Sequence, residues 1–581
     1  MLGCLLVLLL ALQWEITPVI TGVRYSLGSG QEIHEVEGGL PIGFDRRDDL
    51  LTVFFTVKQS LWHPSVFTVR ADDCLRNLTI NGLSVPADVL GSCEVDTPRD
   101  LRLGSYFRSG TNHVVAVIPD TGGRQGFSMR VSNADPLLLT VRLITALVFI
   151  LLTLLLTFRR LKKENRWFTF ILLVGVLIRF LYFEVTPFTV RSYDADGHLD
   201  YIRYIAEHHS IPLIRDGWQF YQPPLYYALV APLYSFAEFV QSQHAVSVRV
   251  IQLFSVFLSI LTLGICLWIA RILFSKKQRS ERFLFVAFFA VFSGVILNSV
   301  RVNNDILVQL LGFLSVALCL RFWQSGSARY WYLLTLAVSL GILTKNNALL
   351  FLPVALAILF LQKDVKLRPK ILMLFLGLCI LLSLTEWLFA LRLAQDANVD
   401  LVGNVGNLNS GLRIPNTLSA YFTFNPFQIL SHPYNDAFND EARRMFFPEY
   451  LYRSAFFGEF NFGASLRAFS RWMLGFGFGV CVLSACGFFT ELRRSWRTAM
   501  PLWLIFLALL LGHALFRFKY PYASSQDFRY SLVLLLPVAY FTLSIVSRCT
   551  GLFRKMLLGF LCLFVFLCGA YTVALSVINP L

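Results

Sequence analysis

The stretch WFTFILLVGVLIRFLYFEVTP at residues 167–187, followed closely by Tyr193-Asp194-Ala195-Asp196-Gly197-His198, decides how the chain is read. Its twenty-one residues carry only two charged side chains, Arg179 and Glu184. At about 1.5 Å per residue such a helix crosses the ~30 Å hydrocarbon core of a bilayer. Arg179 is costly to place in lipid and is expected to face protein or a polar cavity. Two carboxylates and a histidine then arrive where apolar solvent gives way to water.

The pattern repeats. About twelve long apolar segments follow Asp135, near 137–158, 167–187, 248–272, 283–299, 304–323, 330–344, 347–362, 371–391, 469–489, 499–517, 529–547 and 556–577. Of 581 residues, 56% are apolar and 15% charged, where a soluble globular chain carries about a quarter charged residues. That composition excludes a soluble enzyme, a disordered chain and a disulfide miniprotein. Turns between alternate pairs of segments are basic: Arg159 to Lys163, Lys276 to Arg279, Lys363 to Lys370, Arg493 to Arg497, and Arg548 to Lys555. Placing these turns in the cytoplasm satisfies the positive-inside rule without flipping any segment. The net charge of +15 is then a topology signal and not a nucleic-acid patch. The segment at about 224–240 is assigned to a helix lying on the membrane surface, because counting it as a span would put the basic turn at 275–282 outside. The long hydrophilic loops 188–247 and 392–468, and the C-terminal end, fall on the outer face.

The N-terminal third differs. Residues 1–21 hold a short apolar run, Leu2 to Leu12, that fits a signal peptide or an N-terminal anchor. Residues 22–135 contain short β-branched segments, among them Leu51 to Val57 and His113 to Ile118. Turn signals such as Asn81-Gly82 and Thr121-Gly122-Gly123 bound them, which predicts an exported antiparallel β-sandwich. Cys74 and Cys93 lie in this region, and an oxidising compartment would let them pair; two free buried thiols are the alternative. Residues 136–166 supply an extra transmembrane helix and a cytoplasmic turn.

Four polar points from distant parts of the chain share the outer face: Asp194-Ala195-Asp196-Gly197-His198, Arg301-Val302-Asn303-Asn304-Asp305, Thr344-Lys345-Asn346-Asn347 and Ser525 to Tyr530. The first precedes an amphipathic helix with apolar positions at 199, 202 and 205. Asp194 or Asp196 can serve as a general base for a hydroxyl or amine acceptor, and capping of that helix is the competing explanation. Lys345 and Arg529 are suited to a phosphate, with interfacial capping and snorkelling as the alternative. Carboxylate and cation together are what displacement of a sugar from a phosphate carrier needs, because negative charge grows on the departing phosphate. No phosphate-binding loop, dinucleotide fingerprint, zinc motif or paired CxxC occurs.

These motifs resemble those of the GT-C superfamily of integral-membrane glycosyltransferases, closest to the branch of aminoarabinose transferases and protein O-mannosyltransferases. The resemblance covers 167–581 and rests on Tyr193 to His198, Gln222-Pro223-Pro224-Leu225-Tyr226-Tyr227, Asn304-Asp305, Leu343-Thr344-Lys345 and Phe528-Arg529-Tyr530 with Pro537. It implies a polytopic fold of about 12–13 spans and inverting transfer of a sugar from a polyprenyl or dolichyl phosphate to a glycan, lipid or protein acceptor. The family's catalytic aspartate falls on Asp194, with Asp196 as the alternative, since the usual Asp-Glu pair is here Asp194-Ala195. Tyr193, His198, Tyr221, Gln222, Asn304 and Asp305 are implied to line the donor or acceptor site, with Lys345 and Arg529 at the carrier phosphate. No cofactor is required; a divalent ion shared by Asp194, Asp196 and Asp305 is compatible with the residues. The segments Ala71-Asp72-Asp73-Cys74, Leu78 to Gly82 and Gly110-Thr111-Asn112 resemble galactose-binding-like sandwiches. By analogy, the reading leans to a bacterial inner membrane with the site on the periplasmic face. The competing readings are a polytopic transporter, which lacks support because no half-to-half repeat is seen, and a noncatalytic glycan-binding protein on the same scaffold.

Overall fold

The computed structural model describes most of residues 18–138, residues 163–362 apart from a few positions, and residues 410–577. The spans expected at 137–158 and 371–391 fall mostly or wholly outside the described residues, as do Tyr193, Cys74 and Cys93. The chain divides into two compact units, the second formed by Trp167–Ala237 and Val248–Asn579.

The first unit holds ten strands: β1 (Val19–Leu27), β2 (His34–Glu35), β3 (Ile42–Phe44), β4 (Leu50–Gln59), β5 (Val66–Ala71), β6 (Asn77–Ile80), β7 (Leu83–Ser84), β8 (Arg99–Arg102), β9 (Gly110–Pro119) and β10 (Gln125–Val131). One antiparallel sheet has the order β2-β1-β4-β9-β6-β7, the other β3-β10-β5-β8. In β4 the alternate residues Leu51, Val53, Phe55 and Val57 are all buried, as period-two patterning requires of a half-buried strand. They meet Phe67, Val69, Phe127 and Met129 of the other sheet in one core, with the rings of Phe55 and Phe127 5.9 Å apart. The Asn81-Gly82 turn between β6 and β7 has both residues at positive φ (53° and 80°), the geometry this dipeptide favours. β1 begins at Val19, inside the stretch assigned to a signal or anchor.

In the helical unit the elements are α1 (Lys163–Val185), α2 (Ala195–His208), α3 (Leu225–Val240), α4 (His244–Leu273), α5 (Arg279–Val291), α6 (Ser293–Asn298), α7 (Asp305–Ser325), α8 (Ala328–Ile342), α9 (Phe351–Leu361), α10 (Phe447–Phe457), α11 (Gly463–Lys519), α12 (Leu535–Arg548) and α13 (Gly551–Val577). Among the described residues six helices are long and apolar enough to cross a membrane. The chain is an integral, multi-pass membrane protein. Arg179 faces protein, as its desolvation demands: Nε donates to Ser259 Oγ (2.8 Å), and the Nη atoms donate to the carbonyls of Gly175, Ala290 and Phe289.

Two spans differ from their sequence outlines. The segment 283–299 breaks at Phe292 into α5 and α6, because α6 docks on α10. Ser293 Oγ donates to the Phe456 carbonyl (2.7 Å), and a Cβ on Gly294 would lie 1.9 Å from the Ala455 carbonyl oxygen. The segments 469–489 and 499–517 are two arms of α11, which kinks at Ser495 (φ −142°, ψ 30°) beside the basic run Arg493-Arg494.

The basic turns cluster together. Arg554 pairs with Glu281 (2.6 Å), Arg548 with Glu491 (2.6 Å), and Trp323 Nε1 donates to the Arg497 carbonyl (2.8 Å). At the other end a second core gathers α2, α3, α4 and the start of α7: Leu199, Tyr201, Ile202, Tyr226, Tyr227, Val230, Ile251, Val302, Ile306 and Leu307 are buried against one another. Leu199 and Ile202 were expected on the apolar face of α2, and both are buried. This packing sets the first outer loop against the polar start of α7.

Candidate active site

Asp194 stands immediately before α2 in a left-handed conformation (φ 57°), and Arg191 three residues earlier has φ 53°. Non-glycine residues in this region cost about 1 kcal/mol or more, so the chain spends stability to turn here. The Asp194 side chain makes no cap bond to α2. It turns instead to Arg529, whose Nη2 lies 3.3 Å from Asp194 Oδ2. Gly197 admits Trp218 so closely that a Cβ would lie 2.3 Å from the indole nitrogen.

Arg529 is the hub. Its guanidinium also lies 3.2 Å from Asp527 Oδ2 and 3.9 Å from Asp305 Oδ2, and Nη2 donates to Tyr530 OH at 3.1 Å. Asp305 forms an ion pair with Lys345 and accepts from Asn303 Nδ2 (3.2 Å). Lys345 sits over the Tyr530 ring, 5.1 Å from its centroid. Asp305, Asp527 and Arg529 are almost wholly buried.

Local bonding holds the contributing segments in register. Asn304 Nδ2 donates to Gln222 Oε1 (3.1 Å) and to the Thr344 carbonyl (2.9 Å), joining two of the polar points to the Gln222 segment. Gln222 Nε2 donates to Tyr221 OH (2.9 Å), and the Leu225 amide donates to the Leu343 carbonyl (3.0 Å). Asn347 Nδ2 donates to the Tyr530 carbonyl (3.0 Å). His198 Nδ1 lies 2.7 Å from Tyr227 OH in the wall behind Asp194. Of the sequence-expected residues, Asp194, His198, Tyr221, Gln222, Asn304, Asp305, Lys345 and Arg529 are gathered here. Asp196 is not: it is exposed on the first turn of α2.

Four more side chains belong to the site; Asp527, Arg301 and Tyr530 were quoted in the sequence motifs without an assigned role, and Glu459 was not quoted. Asp527 is the third carboxylate on Arg529. Arg301, four residues before Asp305, is buried beside the cluster, with its guanidinium 5.7 Å from the Phe460 ring centroid. Glu459 accepts from Tyr450 OH (2.8 Å). Tyr530 touches both cations. Arg301, between Val300 and Val302, and Glu459, between Gly458 and Phe460, are isolated charges in apolar surroundings, and that isolation was the available signal for them. His513 gave none, lying within an apolar run. It clamps the Asp527–Arg529 segment: Nε2 faces the Ser525 carbonyl (3.0 Å) and must donate, so Nδ1 accepts from Ser531 Oγ (2.7 Å).

Charge follows from this packing. Burial works to raise the Asp194 carboxyl, but Arg529, with Arg301 and Lys345 behind it, holds it below the ordinary carboxylate range. Asp194 is therefore ionised at neutral pH. Burial pushes His198 down to about 3, so the imidazole is neutral. Glu459 is pushed up to about 7, by burial first and then by the Asp527 charge. The donor set does not fit a divalent ion. Asp194 and Asp305 are turned to cations, Asp196 points away, and among the described residues no three acidic, histidine or cysteine side chains form a ligand group.

The Glu459 and His198 shifts oppose each other and can be separated by pH. Between about 4.5 and 7 folded Glu459 keeps a proton that the unfolded chain has released, so its contribution to stability falls as pH rises. Between about 3 and 6.5 the unfolded chain protonates a histidine that the folded chain keeps neutral, so stability rises with pH. Of these two groups, only Glu459 acts above pH 6.5. Thermal unfolding of the purified protein is expected to become easier from pH 6.5 to 8, and Glu459→Gln is expected to flatten that slope. An unchanged slope in the variant would show that another group titrates.

Residues 223–389, less than a third of the chain, match the family model described as dolichyl-phosphate-mannose-protein mannosyltransferase. The match bears out the GT-C resemblance. It begins at Pro223, in the segment that carries Gln222, and includes Arg301, Asn304, Asp305 and Lys345. Among solved structures, the chain is similar to the oligosaccharyltransferase of Archaeoglobus fulgidus in the apo form (14% identity, TM-score 0.42, covering 72% of this chain and 57% of that one). It is also similar to ArnT from Cupriavidus metallidurans bound to undecaprenyl phosphate (14% identity, TM-score 0.32, 66% and 78%). A third is arabinosyltransferase EmbB from Mycobacterium smegmatis (13% identity, TM-score 0.34, 94% and 52%). The chain thus spans little more than half the length of the first of these. No curated protein matches the sequence.

Proposed function

We propose that the chain is a glycosyltransferase that moves a sugar from a polyprenyl or dolichyl phosphate carrier to an acceptor, with inversion, on the outer face of the membrane. The observation that carries this reading is the Arg529 hub, where one buried guanidinium meets Asp194, Asp305 and Asp527 while Lys345 neutralises Asp305 from the other side. Asp194 is the general base: it takes the proton of the acceptor hydroxyl or amine as that atom attacks the anomeric carbon. The bond from the anomeric carbon to the phosphate oxygen breaks, and the electron pair leaves on the carrier phosphate. Lys345 and Arg529 lie where they can stabilise that charge.

The pairing of Asp194 with Arg529 gives the two halves of the reaction a common control. An ion pair keeps a carboxylate ionised but makes it a poor proton acceptor. A carrier phosphate drawing on Arg529 weakens that hold, so the base strengthens as the leaving group is seated. The apolar, aromatic surroundings of the cluster keep the local dielectric low and make both effects larger than in water.

The matching family, described by a dolichyl-phosphate-mannose donor, supports a lipid-linked donor. The sandwich of the first unit would recruit an acceptor glycan or brace the outer loops. The test is transfer of radiolabel by the detergent-purified full chain from a polyprenyl-phosphate sugar to candidate glycan, lipid and peptide acceptors. Label is expected to reach an acceptor with release of polyprenyl monophosphate. A protein that moves labelled donor across a sealed vesicle but never cleaves it is a transporter, and the reading fails.

A further inference from the structure

Lys345 and Arg529, the cations the motifs point to for a phosphate, are both committed to carboxylates in the folded chain. Arg301 forms no ion pair among the described residues, although its charge also acts on Asp194. The residue is 7% exposed, and among the described residues neither Nε nor Nη2 has a hydrogen-bond partner. The residue itself is fixed, its carbonyl accepting from Ser255 Oγ at 2.8 Å. Arg301 lines a narrow polar cavity with Thr186, Arg191 and Gln252, walled by Tyr182 and Val300. Thr186 Oγ1, buried in the same wall, also lacks a partner. Gln252 is oriented by donating to the carbonyls of Thr186 (3.1 Å) and Val300 (3.0 Å).

A buried guanidinium with unsatisfied N–H groups is expensive, because those donors have given up water for nothing. The cost is recovered when an anion arrives, and the planar fork of arginine matches two oxygens of a phosphate. Two arginines and a hydroxyl facing one cavity make that anion's charge and valence specific: a phosphate ester, not a neutral sugar. The charge of Arg301 also acts on Asp194, so its guanidinium lies within electrostatic reach of the carboxylate–cation cluster.

We propose that Arg301, with Thr186 and Arg191 in the same cavity, is the site that takes the phosphate of the lipid-linked donor. The proposal rests on the glycosyltransferase reading and adds to it a binding residue that no motif singled out for this role. Lys345 and Arg529, already paired with carboxylates, then share the leaving group's charge with Arg301, which forms no ion pair among the described residues.

The experiment is binding of a short-chain polyprenyl monophosphate, and separately of inorganic phosphate, to the purified full chain in detergent, by thermophoresis. Wild type, Arg301→Gln and Arg301→Lys are compared. Wild type is expected to bind the lipid phosphate more tightly than inorganic phosphate. Arg301→Gln is expected to lose about 10- to 100-fold in affinity, the worth of a charge-assisted pair of hydrogen bonds. Arg301→Lys keeps the charge without the fork, and should fold and fall between the two. Wild-type affinity in both variants overturns the proposal and leaves the glycosyltransferase reading standing. Wild type that binds neither ligand overturns both. Equal affinity for inorganic phosphate and the lipid makes this a free-phosphate site and overturns the assignment to the donor.

Discussion

Asp194→Asn is expected to lower transfer by about 10²- to 10⁴-fold, the usual contribution of a positioned general base. The substitution is a clean one. Asparagine tolerates the left-handed backbone that Asp194 adopts at φ 57°, and its amide oxygen can still accept from Arg529 at the 3.3 Å separation seen here. What it loses is the ability to take a proton. Asp196→Asn, on the exposed side of α2, is expected to turn over within a few-fold of wild type. The paired comparison separates the two aspartates that the sequence left open, and full activity in Asp194→Asn would remove the base from the mechanism. Because Arg529 holds Asp194 below the ordinary carboxylate range, the acid limb of kcat/KM due to Asp194 is expected to lie below that of an ordinary aspartate.

The second large effect belongs to Arg529→Gln. Removing one buried guanidinium strands three carboxylates, Asp194, Asp305 and Asp527, of which only Asp305 keeps a lysine. Breaking a buried ion pair by deleting one partner costs about 3–5 kcal/mol, since the remaining charge stays desolvated. Thermal unfolding should therefore shift strongly downward, and transfer should fall with it. The pH dependence identifies the cause. Carboxylates without their cation prefer the protonated form, so their folded pKa rises above the unfolded value. The variant should then be most stable at low pH and lose stability as pH rises through the carboxylate range, a slope opposite in sign to that of Asp194 held by Arg529. A variant as stable as wild type at pH 7 would show that the three aspartates do not depend on Arg529. Arg529→Lys is expected to recover part of the stability but little of the geometry.

Much of this arrangement is legible in the chain because hydropathy and charge report length and side. The apolar runs at 248–272 and 304–323 become α4 and α7, and the alternation from Leu51 to Val57 becomes β4. The basic turns meet through Arg554–Glu281 and Trp323–Arg497, as the positive-inside rule led one to expect. Pairing is another matter. Nothing in the order of residues says that Lys345 spends its charge on Asp305 or that Asp527 joins the Arg529 hub. Those choices are made by tertiary distances between segments hundreds of residues apart. The break at Phe292 is equally hidden, because its cause is the close approach of Gly294 to a carbonyl of α10. Arg301 illustrates the limit from the other side. In the sequence it reads as one more interfacial arginine, and what sets it apart from Lys345 and Arg529 is that it forms no ion pair among the described residues.

A structure of the full chain with polyprenyl monophosphate bound tests the central idea most directly. Phosphate oxygens within about 3 Å of the Arg301 guanidinium, with Asp194 facing the space where the anomeric carbon would stand, are the predicted result. A phosphate seated on a face of the helical unit remote from Asp194, Arg301 and Arg529 would contradict it.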